Sequence, residues 1–75
     1  MHKAAESVDT IWIRRLSHEM ACWPTYRLQP ELEHLKAKQS VQGVTRREWR
    51  RLGAIEFLLH QRRVAAHIAN GSMAR

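Results

Sequence analysis

A chain of 75 residues with 44% hydrophobic content has room for one small domain and a single core. Its one cysteine, Cys22, excludes an intrachain disulfide, and no apolar run approaches the ~20 residues needed to cross a bilayer. The net charge is +6 and is unevenly spread, since residues 40–75 hold seven basic side chains, all arginine, against the two acids Glu48 and Glu56.

That asymmetry points to an anionic partner, because arginine presents a planar fork of donors suited to phosphate or carboxylate. The N-terminal stretch lacks a signal peptide's apolar core, since Asp9, Arg14 and Arg15 interrupt it. A cytoplasmic protein with no membrane role is expected.

The fold class read from the pattern is all-α, three helices in one domain spanning 1–75, with 1–6 and 72–75 as frayed ends. The first helix is expected over about 8–23. Trp12, Ile13, Leu16, Met20 and Trp23 recur at three- and four-residue spacing, and Ser7 or Asp9 can cap its start. Pro24 should end it. Pro24 to Gln29 reads as a connector, where Tyr26 and Leu28 alternate with Arg27. Pro30 then suits the first position of a second helix over about 30–39. Glu31 and Glu33 near its start and Lys36 and Lys38 near its end would complement the helix dipole.

Ser40 to Val44 reads as a turn around Gly43. The third helix is expected over about 45–70. Thr45 and Glu48 form a capping-box pattern, Val44 is placed to staple onto Trp49, and Asn70-Gly71 supplies a stop. Gly43-Val44-Thr45 with Trp49 and Leu52 resembles the second half of a helix-turn-helix. The first half departs from that pattern, since Gln39 and Gln42 stand where a small and an apolar residue belong.

The third helix carries the candidate functional residues. Arg46, Arg47, Arg50 and Arg51 cover one broad side of its first two turns, with Trp49 and Leu52 turned away. This group is the expected binding site for nucleic acid or for an acidic protein surface. Further along, Leu52, Ile55, Leu59 and Ala66 form one apolar stripe and Phe57, Val64 and Ile68 another, flanked by Leu58 and Ala65. Two short helices cannot cover both stripes. A homo-oligomer is therefore expected, with Phe57, Leu58, Val64, Ala65 and Ile68 at its interface.

Chemistry is poorly supplied. His18 and Cys22 are four apart and could share a metal, but His60 and His67 are two turns apart and a closed site would need His34 or a second chain. No glycine-rich phosphate loop and no carboxylate pair on one face occurs. The expectation is a small, basic, non-catalytic regulator with no cofactor and no metal. Nucleic-acid binding is preferred. The alternative is an inhibitor or adaptor of the kind that mobile elements direct against host machinery.

Overall fold

The computed structural model describes residues 7–73, with side chains through Ala69. It holds three helices in the order α1 (Val8–Glu19), α2 (Thr25–Val41) and α3 (Arg46–Met73), so the all-α expectation holds. The expected tails at 1–6 and 74–75 lie outside the described residues, whereas residues 72 and 73 belong to α3.

The helix ends follow local chemistry. Ser7 caps α1, its hydroxyl accepting from the amide of Thr10 at 3.1 Å. The helix stops at Glu19, four residues before the expected end. The amides of Ala21 and Trp23 turn instead to the carbonyls of His18 and Met20, three residues back, and tighten the chain into a corner.

Pro24 has a different role from the one expected of it. It is the extended residue preceding α2, with φ −69° and ψ 156°. α2 thus starts five residues early, and the supposed connector is helical. The reason is packing: Leu28, Leu32 and Leu35 fall at helical spacing on the face toward α3, and Leu28 and Leu35 are buried. Pro30 lies inside the helix, near enough to its start that the ring removes little more than one intrahelical bond. With the start moved to Thr25, Glu31 and Glu33 leave the first turn, and the dipole argument made for them no longer applies.

Gly43 takes φ +86°, a left-handed conformation that costs glycine nothing, and its amide reaches back to the carbonyl of Lys38 at 3.0 Å. The capping box forms as expected. The amide of Glu48 donates to Thr45 Oγ1 at 3.1 Å, and the amide of Thr45 donates to Glu48 Oε1 at 2.9 Å. α3 does not stop at Asn70-Gly71 but runs to Met73, giving 28 residues.

α3 is the spine, and α1 and α2 both pack on it. Asp9 bonds to Arg46 and Arg50 near the start of α3, while Ser17 and Ala21 share a groove with Phe57 and Gln61; α1 therefore runs parallel to α3. α2 runs antiparallel, with Lys38 on Glu48 at one end and Thr25 on Arg62 at the other. This lengthwise pairing is not the crossing of a helix-turn-helix, so that resemblance does not extend to the arrangement of the helices.

The core gathers Met20, Leu28, Leu35, Leu52, Ala54, Ile55, Leu58 and Leu59, with Ile13, Leu16, Trp23 and Leu32 packed around it. Small residues let α1 approach α3. The Ile13 side chain lies over Gly53, where an added Cβ would stand 3.1 Å from Ile13 Cδ1. Ser17 is buried and donates its hydroxyl to the carbonyl of Ile13 at 2.7 Å, so the polar atom is satisfied within its own helix.

Candidate functional site

The four arginines at the start of α3 do not form a free basic face. Arg46 and Arg50 converge on Asp9, Arg50 Nε donating to Oδ1 at 2.7 Å and Arg46 to Oδ2. Arg51 Nε donates to Glu31 Oε2 at 2.7 Å. Arg46 and Arg47 are exposed, and Arg47 alone of the four has no ion pair among the described residues. The expectation of an open arginine patch is corrected here: α1 and α2 each bring one carboxylate to it, from positions too distant in sequence for a helix wheel to show.

The carboxylates hold the guanidinium groups from one edge, and indoles hold them from the face. Trp12 has Arg15 and Arg50 over its ring at 5.2 and 5.7 Å. Trp23 has Arg27 at 3.7 Å and Arg51 at 5.4 Å. These distances fall within the range where the ring quadrupole attracts a cation. Trp12 was expected in the core arc of α1 but remains 40% exposed, because its place is beside Arg50 rather than under α3. Trp49 is 43% exposed and lines a shallow concavity with Val44, Thr45 and Arg46, the neighbourhood expected of a staple.

Asp9 and Glu48 stay ionised to lower pH than ordinary carboxylates. The hydrogen bond from Arg50 is the main cause for Asp9, with the charge of Arg46 adding to it; both lower its pKa. For Glu48 the main cause is the hydrogen bond from Lys38, joined by the amide of Thr45. Glu48 thereby serves two structures, the cap of α3 and the bridge to α2.

A second cluster at the other end of the domain is a connection that sequence reasoning missed. Arg62 donates to the carbonyls of Ala21 and Trp23 at 3.0 and 2.6 Å and to Thr25 Oγ1 at 3.1 Å. One guanidinium thus ties the corner between α1 and α2 to α3. Its position on the core-facing side of α3, seven residues after Ile55, is the one signal that could have flagged it.

The residues assigned to an oligomer interface divide. Leu58 is buried in the core of the single chain, so it is not available to a partner. Phe57, Val64, Ala65 and Ile68 are exposed. His18 and Cys22 are separated by the end of α1, so the one-face spacing proposed for a shared metal is not realised, and no group of three metal-ligating side chains occurs among the described residues. No helix among those residues is long and apolar enough to cross a membrane. The chain matches no protein-family model, no curated protein and no solved structure.

Proposed function

We propose that this protein is a non-catalytic nucleic-acid-binding regulator that docks the phosphate backbone on the arginine–tryptophan end of α3. The observation that carries this reading is an imbalance of charge among fixed side chains. Among the described residues, Arg46, Arg47, Arg50 and Arg51 pair only with Asp9 and Glu31, which leaves two positive charges unbalanced there. Each paired arginine uses one of its five donors in these bonds and keeps the others.

The carboxylates and indoles also lower the cost of binding. A guanidinium already held at one edge and one face has less rotamer freedom to lose when it meets a phosphate. Trp49, partly exposed beside Arg46, offers flat apolar surface on which a base can stack. Asp9 and Glu31 set the limit: binding is moderate and its salt dependence is shallower than that of four free arginines, because fewer counterions are released.

The direct test is fluorescence anisotropy with labelled duplex and single-stranded oligonucleotides at low salt. Binding by the natural protein, weakened by Arg47→Gln and Trp49→Ala with helical content unchanged, is the expected result. Absence of binding to either oligonucleotide at low salt would overturn the reading. It would leave the same surface to an acidic protein, to be sought by pull-down from nuclease-treated lysate.

A further inference from the structure

The start of α3 is flanked on two sides. α1 meets it at Arg46, Arg50 and Gly53. α2 meets it at Glu48, Arg51 and Arg62. Among the described residues α1 and α2 pack on α3 and not on each other. On a helix of 3.6 residues per turn these two sets of contacts point roughly 160° apart, and Trp49 projects between them. Trp49, Glu56, His60 and Arg63 share that open side, and all four are exposed.

This placement decides which form of nucleic acid the indole can meet. A major groove is ~12 Å wide and takes a single helix of ~10–12 Å across. With a neighbour on either side, α3 cannot sink into such a groove from the Trp49 side. Paired bases are also stacked on one another and offer the grooves only their edges. An indole needs the flat face of a base, which an unpaired base presents.

We infer, on the nucleic-acid reading that this rests on, that the favoured partner is a single strand, one unpaired base stacking on Trp49 with its phosphate on Arg46. The recess at Trp49 has a volume of ≈ 350 Å³ and is lined by Val44, Thr45, Arg46 and Trp49. That is near the lower bound of ligand clefts, which run from ~300 to ~1,000 Å³, and suits one flat ring system rather than a longer segment. Its lining contains apolar surface, a hydroxyl and a guanidinium, and no carboxylate.

The phosphate has its own partners beside the base. The Arg46 side chain is 68% exposed. It spends one donor on Asp9, so its other donors face outward from the rim of the recess. Arg46 is also the first residue of α3, so the positive end of the helix dipole lies at the same rim. Duplex DNA still meets the arginines through its phosphates, but without the stack.

Fluorescence anisotropy at low salt tests this with one labelled strand that cannot fold on itself, alone and annealed to its complement. The natural protein should bind the strand more tightly than the duplex. Trp49→Leu keeps an apolar side chain beside Val44 but has no ring face. It should weaken single-strand binding about 5- to 150-fold, the worth of one stacked base, and leave duplex binding unchanged. Trp49→Phe keeps a ring and should retain most of the single-strand affinity.

The same strand carrying abasic sites makes the measurement independent of any variant's folding. It keeps its phosphates and lacks its bases, so the natural protein should bind it more weakly by a similar factor. Equal affinity for the abasic and the intact strand would overturn the inference. So would a duplex bound as tightly as its own strand, or a Trp49→Leu variant that weakens both forms alike. Each of those results leaves the phosphate-binding reading standing, whereas no binding of either form overturns both.

Discussion

Asp9 and Arg50 are 41 residues apart in the chain and 2.7 Å apart in the fold. This one contact joins the first turn of α1 to the second turn of α3 and offsets part of the charge that makes α3 a candidate interface. It therefore affects stability and binding in opposite directions. Asp9→Asn should lower the melting temperature, because α1 loses its tie to Arg46 and Arg50. The same change should tighten oligonucleotide binding and steepen its salt dependence by about one unit in the log–log slope, since one counter-charge is removed. Thermal melts and anisotropy on the same sample read both effects. Weaker binding by Asp9→Asn would mean that Asp9 acts mainly by holding the arginines in place.

The lowered pKa values of Asp9 and Glu48 set an acid limit. In the unfolded chain both carboxylates return to ordinary values, so the folded state binds fewer protons and gains stability as pH rises through them. That contribution is fully present above about pH 5 and is lost as pH falls below about 4 toward the depressed folded values. Melting temperature should be flat from neutral pH down to that window and then drop. Asp9→Asn with Glu48→Gln should flatten the drop. A melting temperature that rose on acidification would contradict the pairing.

Thr45 and Glu48 exchange two hydrogen bonds at the start of α3. Thr45→Ala leaves the Glu48 amide without its cap and should cost about 1 kcal/mol; Thr45→Ser should cost much less. Glu48→Gln keeps an acceptor for the Thr45 amide but loses the charge facing Lys38, so it should fall between the two. Urea titration at neutral pH measures the order.

Arg62 makes three hydrogen bonds to the α1–α2 corner, and a lysine cannot match their geometry from one compact ammonium. Arg62→Lys should destabilise by about 1–3 kcal/mol, the scale of unsatisfied groups. The exchange of amides near residues 20–25 should quicken before that of α3. Uniform exchange across the chain in the variant would contradict the clamp.

Local chemistry was legible in the sequence and tertiary chemistry was not. The Thr45–Glu48 cap, the turn at Gly43 and the number of helices follow from residues within a few positions of one another, where spacing alone decides. The boundary of α2 departs from its proline signals, which act only as local punctuation. Leu28, Leu32 and Leu35, packing against α3, decided the outcome instead. The four arginines were visible as a cluster. Their partners Asp9 and Glu31 were not, because a wheel drawn on one helix cannot show a carboxylate delivered by another. Phe57, Val64 and Ile68 were recognised as a stripe that two short helices fail to cover. Leu58 was misplaced with them because an edge position on a wheel is assigned by the neighbour that reaches it, here α1.

The central claim, that a partly balanced arginine cluster meets phosphate, is tested most directly by the salt dependence of oligonucleotide binding. Two unbalanced charges predict a log–log slope of about −2 on duplex DNA for the natural protein, in place of about −4 for four free arginines. Arg47→Gln, which removes the arginine without a carboxylate partner, should bring the slope to about −1. No binding at low salt, or a slope unmoved by Arg47→Gln, would contradict the account.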